Sequence, residues 1–364
     1  MTVNLSLDYR AAVLAAPRDM RIQRLRMKGV EDDEVVVKVS CCTLCPTDIR
    51  KYLGFTDLPG PLILGHEISG TIAHLGRKVE RFMEGDPVTV MSIIPCGYCR
   101  YCVLGMPELC DHLVGLGGSA GPLERYLALF EEKGWGGGLA EYIKVPQKIV
   151  VKLMKGVSAK NASLIEPFAN VLKGQQACDP SPTQVEVIFG GGPIGILHLI
   201  AAKALGVNKV ILVEPYQDRR RIALEYGASH VINPEEEDPV QRIRELTDGV
   251  GADIVIVATG WRAEAKCTEL AVELAAKGGR VNVFAATHPQ TMLHIDPNLI
   301  HYKELKILGS FEHHPIHYYE AMELISSKNI DFERIIYPRV PLEKVAEAFE
   351  LYGKPGSMKV AVEP

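Results

Sequence analysis

Four cysteines, Cys96, Cys99, Cys102 and Cys110, stand in the pattern C-x2-C-x2-C-x7-C. Thiolates are soft ligands, and four of them separated by small and turn-forming residues suit a closed tetrahedral zinc site. Such a site leaves no coordination position open, so a metal there supports a loop and does no chemistry. A second set of residues is mixed in type. Cys45 precedes Pro46, Thr47 and Asp48; His66 and Glu67 follow Gly65; Glu166 precedes Pro167 far downstream. No pair among them is diagnostic alone, but a thiolate, an imidazole and carboxylates together are the ligand types of an open zinc site. Cys41 and Cys42 read as buried strand residues, and Cys178 and Cys267 as ordinary core or surface thiols.

A third group binds rather than reacts. Gly190-Gly191-Gly192-Pro193-Ile194-Gly195 fits G-x-G-x-x-G. The pattern alone is weak, but an apolar strand precedes it, a helix follows, and Glu214 ends the next strand. Gly190, Gly192 and Gly195 permit a tight turn and close approach to a pyrophosphate, whose charge is favoured at the N-terminus of the helix opened by Pro193 and Ile194. Glu214 is placed to accept hydrogen bonds from ribose hydroxyls, and its charge opposes a 2′-phosphate, which favours NAD over NADP. Arg219, Arg220 and Arg221 pull mildly the other way; Arg219 is the one expected to touch the cofactor, and Arg220 and Arg221 read as a solvated helix face.

The elements that must position these residues change in texture along the chain. Its first third is β-rich: residues 35–39 are β-branched, 70–73 and 87–91 look like short strands, and Gly and Pro punctuate between them. From about residue 185 strands and helices alternate, with strands expected at 185–189, 209–213, 254–258 and 281–284 and helices at 193–205, 217–226 and 263–276. Continuous apolar strands alternating with helices imply a parallel sheet covered on both faces. The acidic run 235–238 reads as a solvated turn. At 364 residues the chain is long enough for two domains. A net charge of −5 gives no reason to expect nucleic acid or an anionic membrane surface. The chain shows no signal-peptide core and no apolar stretch long enough to span a bilayer, so a cytoplasmic location is expected, where clustered cysteines hold metal rather than form disulfides.

Taken together, the run GHEISGTIAHLGRKV, the four-cysteine loop and the glycine-rich turn resemble the zinc-containing medium-chain dehydrogenase/reductase superfamily, over nearly the whole chain and in the family's order. Within it, CPTD, LIEP and Glu214 look most like the sorbitol (polyol) dehydrogenase and threonine 3-dehydrogenase branch. The resemblance implies a Rossmann doubly wound parallel sheet, residues 165–309, inserted in a GroES-like catalytic domain, residues 1–164 and 310–364. It implies two zinc ions per chain, one catalytic and one structural. Cys45, His66 and Glu166 are implied as ligands of the catalytic zinc, with Glu67 alternating between direct ligand and outer partner. Two departures stand out: Pro46 replaces the usual glycine, and Arg50 stands where sorbitol dehydrogenases often carry histidine. The 111–138 stretch is longer than the family norm, and its segment 123–133 has helical spacing suited to a lid, a pocket wall or an oligomer contact.

The expected reaction is oxidation of a secondary alcohol (polyol, cyclitol or sugar alcohol) to a ketone, or the reverse, with NAD. Zinc would polarise the substrate oxygen, and Thr47 would hydrogen-bond that oxygen and pass its proton outward. Asp48 reads as a brace for the loop rather than a base. L-threonine 3-dehydrogenase is the alternative, favoured by Asn170 in EPFAN, and a phosphorylated sugar alcohol is a further one, through Arg50, Lys51 and Arg125. A non-catalytic relative serving as a binding or structural protein is disfavoured by the intact ligand set, as is a zinc-free quinone reductase. His313, His314 and His317 read as a surface or pocket-rim cluster. The expected partner is a small alcohol or ketone, with no nucleic acid and no membrane, and a homotetramer is favoured over a dimer.

Overall fold

A computed structural model describes residues 5–159, 161–260, 263–286 and 291–364. The chain divides into two compact units, Met1–Glu166 with His314–Pro364, and Pro167–His313. No helix among the described residues is long and apolar enough to cross a membrane.

The first unit is organised around the strand Glu34–Thr43, whose β-branched run Val35, Val36 and Val37 is buried. It pairs antiparallel with Glu67–Leu75 on one side and with Tyr142–Pro146 and Ala361–Glu363 on the other. Thr43 consequently faces Glu67 on one neighbour and Ala361 on the other. The end of the chain is thereby laid beside residues near its beginning, next to the segment that carries His66. The strand also contains Cys41 and Cys42, both buried. A second sheet of Asp19–Arg26, Asp8–Ala16 and Leu62–Ile63 covers the Val36 side of the core. A small lobe closes with the pairing of Ile93–Ile94 to Val114–Gly115.

The long insertion carries a helix at Leu123–Lys133. Tyr126 is buried and donates its hydroxyl to the carbonyl of Ile63 at 2.5 Å. Phe130 packs on the cluster around Tyr9, Val13 and Val36, and Lys133 pairs with Glu31 at 2.9 Å. A helix pinned along its length by a buried phenol and at its end by an ion pair does not suit a lid.

The second unit holds a parallel six-stranded sheet in the order His230–Ile232, Lys209–Val213, Val185–Phe189, Ala252–Val257, Ala275–Val283, Lys306–Gly309. Its central strands Lys209–Val213, Val185–Phe189 and Ala252–Val257 are buried and mainly apolar on both faces, as a sheet covered by helices requires. Strand order reverses at Val185–Phe189, the topological switch point where open parallel sheets bind ligands beyond the carboxyl ends of their strands. The strand Ala275–Val283 starts six residues earlier than its apolar pattern 281–284 suggests, because Ala275 already pairs with Ala252, and a register shift carries Gly278 and Gly279 past the ladder before pairing resumes at Arg280. Asp238 does more than its acidic run suggests: its carboxylate caps the helix Pro239–Leu246 by accepting from the Val240 N–H.

A buried polar cluster lies within this unit. Gln175 Nε2 donates to Glu186 Oε1 at 2.6 Å and lies 3.2 Å from His198 Nδ1, all three buried. Burial pushes the Glu186 carboxyl up to about 8, against the Gln175 hydrogen bond, and pushes the His198 imidazole down to about 3. As pH rises above the ordinary carboxyl value of 4.5, the unfolded chain releases the Glu186 proton while the folded chain keeps it until about 8, so stability is lost across that interval. His198 works in the opposite sense: below its ordinary 6.5 the unfolded chain gains a proton that the folded chain refuses, so stability falls on acidification. Glu186→Gln should therefore remove the alkaline decline and leave the acid one. Thermal midpoints measured from pH 5 to 8.5 should converge at the acid end and part at pH 8, the variant being more stable there by on the order of a few kcal/mol. Parallel curves for the two proteins would refute this account.

Candidate metal and dinucleotide sites

Cys45 ends an extended stretch and caps the helix Pro46–Tyr52. Proline suits the first helical position, where its missing N–H costs no hydrogen bond, so Pro46 starts the helix as well as stiffening it. Asp48, at the third position, is fully buried and turns its carboxylate back. Oδ2 accepts from the Cys45 N–H at 3.0 Å, Oδ1 accepts from the Gly65 N–H at 3.2 Å, and Oδ1 lies 3.7 Å from His66 Nδ1. One carboxylate thus ties the thiol-bearing segment to the imidazole-bearing one. The bracing role expected of Asp48 has this geometric form.

As a result, Cys45, His66 and Glu67 each place a ligand atom within 4.8 Å of the others. His66 and Glu67 are buried, Cys45 half-buried. Glu67 is held at both oxygens: Thr43 donates its hydroxyl to Oε2, and Lys359 pairs with Oε1 at 2.6 Å. Lys359 and Glu67 are each 1% exposed. Burial opposes the lysine charge, but Glu67 and the nearby Cys45 outweigh it and raise the ammonium above its ordinary range. His66 is likewise raised, Asp48 and Cys45 overcoming its burial. The Thr47 hydroxyl is buried with no hydrogen-bond partner among the described residues. A thiolate, an imidazole and a carboxylate around one point fit a zinc ion, and the carboxylate beside the imidazole is the usual outer support of a histidine ligand. Glu166, expected from the resemblance as a ligand, is buried but does not join this group.

The four cysteines of the small lobe also converge. Sγ of Cys96 lies 4.0 Å from that of Cys102, and Cys99 lies 3.8 Å from Cys110. Zinc–sulfur bonds of about 2.3 Å place tetrahedral sulfurs about 3.8 Å apart, so the cage has the size of the ion. Backbone N–H groups of Tyr98 and Cys99 donate to Cys96 Sγ, and those of Cys96 and His112 to Cys110 Sγ. Within this set the Cys102 N–H leads in lowering the Cys99 thiol, while burial raises those of Cys102 and Cys110. None of the nine cysteines forms a disulfide.

In the second unit, the glycine turn follows the strand Val185–Phe189 and opens the helix Pro193–Ala204. Gly190 has φ of +100°, and a Cβ on Gly195 would lie 1.8 Å from the Gly190 carbonyl oxygen, so both positions exclude a side chain. Glu214 is buried with both oxygens occupied, accepting from the Gly191 N–H at 2.6 Å and the Tyr216 N–H at 3.0 Å. Arg219 stands 3.9 Å from Glu214 and stacks over the Tyr216 ring. Arg220 is spent on the carbonyls of Glu214 and Pro215, and Arg221 is exposed. The turn, Glu214 and Arg219 therefore frame one place able to take a dinucleotide.

Lys359 and Thr43 are the site residues that sequence reasoning missed. Lys359 left one trace, a charged residue in an otherwise apolar stretch leading into the final strand, and its partner lies 292 positions away. Of the histidine cluster expected at the surface or a pocket rim, His313 and His317 are buried and His314 is half-buried. Lys51 and Arg125, named with Arg50 for a phosphorylated substrate, each donate to a backbone carbonyl, of Thr47 and Asp111 respectively.

Residues 31–155 match the model of the alcohol dehydrogenase GroES-like domain, and residues 193–327 that of the zinc-binding dehydrogenases. The sorbitol dehydrogenase of Bombyx mori is 30% identical over 360 residues, covering 97% of both chains. The L-threonine 3-dehydrogenase of Pyrococcus horikoshii is 32% identical over 333 residues, covering 89% of this chain and 90% of that one. A crystal structure described as a zinc-binding dehydrogenase from Sinorhizobium meliloti 1021, bound to NADP, superposes with a TM-score of 0.88 at 27% identity, covering 98% of this chain and 100% of that one. With two domain models in the expected order and relatives matched nearly end to end, the chain belongs to the zinc-type medium-chain dehydrogenase/reductase family, oxidoreductases of the alcohol dehydrogenase type.

Proposed function

We propose that this chain oxidises a secondary hydroxyl of a polyol, cyclitol or sugar alcohol to a ketone with NAD, at a metal held by Cys45 and His66. The observation that carries the reading is the convergence of Cys45, His66 and Glu67 beside a threonine hydroxyl that has no partner among the described residues. Cys45 and His66 would hold zinc, which would supply a Lewis acid to lower the pKa of the substrate hydroxyl, and NAD would supply the hydride acceptor. The chain's own residues do the rest. Thr47 Oγ1 accepts the substrate proton in a hydrogen bond and directs it away from the reacting carbon. Asp48 fixes the ring of His66 and the backbone of Cys45 before substrate arrives. Of the carboxylates, Glu67 is the one within reach of the other two ligands, and Glu166 as a ligand would require rearrangement. L-threonine is the competing substrate, supported by a similarity as high as that to the sorbitol enzyme.

Purified zinc-loaded protein should reduce NAD with one or more compounds from a panel of polyols, cyclitols and threonine, and a panel without a single substrate would overturn the reading. Metal analysis should find two zinc ions per chain. Cys45→Ser or His66→Ala should retain one zinc and a folded chain while losing at least ~10³-fold in turnover. Cys99→Ser should lose the other ion and lower the melting temperature instead. Near-normal turnover by the Cys45 variant would remove the assignment.

Thr47→Ala should lower turnover by roughly 10²-fold or more, whereas Thr47→Ser, which keeps the hydroxyl, should stay within about tenfold of the parent. Equal losses in both would mean that packing of the methyl group, not the hydroxyl, matters.

Glu214 supports NAD because its buried carboxylate meets any 2′-phosphate. Glu214→Ser should raise kcat/KM for NADP relative to NAD by about tenfold or more, Arg219 remaining to pair with the phosphate. An unchanged ratio would show that neither residue reads the ribose.

A further inference from the structure

Lys51 buries an ammonium against a single neutral partner. It lies in the last turn of the helix Pro46–Tyr52 and is 5% exposed, and its Nζ turns back along the helix to donate to the Thr47 carbonyl at 3.1 Å. That carbonyl is its one acceptor among the described residues, so two of the three N–H groups of the ammonium have none. The insertion closes over it. Gly118 has φ of +72°, and a Cβ there would stand 3.2 Å from Lys51 Cε and 2.7 Å from Leu123 Cδ2. A Cβ on Gly117 would come 2.5 Å from the Gly65 carbonyl oxygen, so the same turn also covers the entry to the segment carrying His66. Methionine or leucine would fill the place of Lys51 without taking a charge out of water. Burial lowers the lysine below its ordinary range, and Asp48 and Cys45 offset this only in part. Asp48 is itself engaged with the N–H groups of Cys45 and Gly65 and with His66.

Donors left over on a buried cation ask for an anion, and their position narrows which one. Thr47 and Lys51 stand four residues apart on one helical face. The Thr47 hydroxyl is buried with no partner among the described residues. A hydroxyl on Thr47 and an ammonium touching the carbonyl of the same residue can reach adjoining groups of one small molecule. Two N–H groups and one positive charge match the two oxygens and the single charge of a carboxylate. A phosphate dianion would bring two negative charges towards Asp48 and Cys45 against this one ammonium.

We infer that Lys51 is a carboxylate subsite beside Thr47, and that the polyol oxidised here carries a carboxylate one or two carbons from the carbon that reacts: a polyhydroxy acid of the aldonate type. This rests on the reading that Thr47 binds the reacting oxygen.

The test compares aldonates of five and six carbons with their primary amides and with the alditols of the same configuration, on zinc-loaded protein. The amide keeps the shape of the acid and removes its charge. At least one aldonate should be oxidised with kcat/KM about tenfold or more above its amide and its alditol. Lys51→Met, which keeps the length of the side chain and removes its charge, should bring the acid-to-amide ratio close to unity, and Lys51→Arg should recover most of it. Calorimetric titration of the aldonate without NAD gives a readout independent of turnover. Its Kd should rise by about tenfold or more in Lys51→Met at unchanged zinc content, with a smaller change for the amide. Where Lys51→Met does not fold, the comparison of acid with amide in the parent protein decides alone.

Equal kcat/KM for acid and amide in the parent, or an acid preference that survives Lys51→Met, would overturn the inference and leave the dehydrogenase reading intact. Aldonate binding that depends on Lys51, without oxidation of any compound in the panel, would support the subsite and overturn the secondary-alcohol reading instead.

Discussion

A single buried carboxylate organises the reactive end of the first unit. Asp48 is fully removed from solvent, where an unpaired charge would cost several kcal/mol. Its compensation comes from two backbone N–H groups, at Cys45 and Gly65, and from the imidazole of His66. Those partners belong to a helix start and to the entry of a strand, which the pairing of Thr43 with Glu67 brings side by side and the carboxylate then locks in spacing. Satisfying the charge requires both segments to be in place, so correct folding and correct placement of the metal-binding side chains become the same event. The interaction is also directional: one oxygen reaches each segment, which fixes spacing as well as contact.

The second unit repeats the device with different residues. Glu214 is buried at the end of its strand and accepts from Gly191 in the turn and from Tyr216 at the start of the next helix. Again one carboxylate joins two backbone segments, and again the segments are the ones a ligand would touch. The two carboxylates differ in their further use. Asp48 serves only to hold its neighbours, whereas Glu214 would exchange hydrogen bonds within the chain for hydrogen bonds to ribose. A group whose internal partners are backbone amides can make that exchange at small net cost, because hydrogen bonds are lost and regained in similar number.

How much of this could be read from the residues depends on the range of the interaction. The strand, glycine turn and helix at 185–204 were legible because the signal is local: an apolar run, a pattern in which Gly190 and Gly195 leave no space for a side chain, and a proline at the first helical position. The four-cysteine loop was legible for the same reason, all its ligands lying within fifteen consecutive residues. Helix ends and strand starts drifted where tertiary pairing decided them, as at Ala275–Val283, where pairing of Ala275 with Ala252 starts the strand ahead of a glycine-containing irregularity. Least legible was the Lys359–Glu67 pair. Its partners are brought together by two strand registers that meet at Thr43, and register between distant segments leaves no mark in either segment alone. The buried Glu186–Gln175–His198 group was missed for the same reason, its three residues being too far apart in sequence to suggest one another.

The two metal sites stand in different relations to folding. Around Cys45, the charges are balanced within the chain: Asp48 by backbone amides and His66, Glu67 by Lys359 and Thr43. That site is assembled by ordinary folding and offers a metal a prepared place, so removing the ion leaves a network whose hydrogen bonds are still made. The small lobe has little else to hold it. Its core is Ile93, Leu113, Ala120 and the ligand cysteines themselves, and its sheet is a two-residue pairing. Its outer residues Tyr98, Val103, Leu104 and Leu109 are exposed and add little to that core. Apolar burial on that scale cannot offset the entropy of ordering the loop, whereas zinc binding to four thiolates supplies free energy that is realised only when the loop is folded. On the proposed reading, an ion near Cys45 would therefore be a reagent held by a finished structure, and one among the four cysteines would be part of what finishes it.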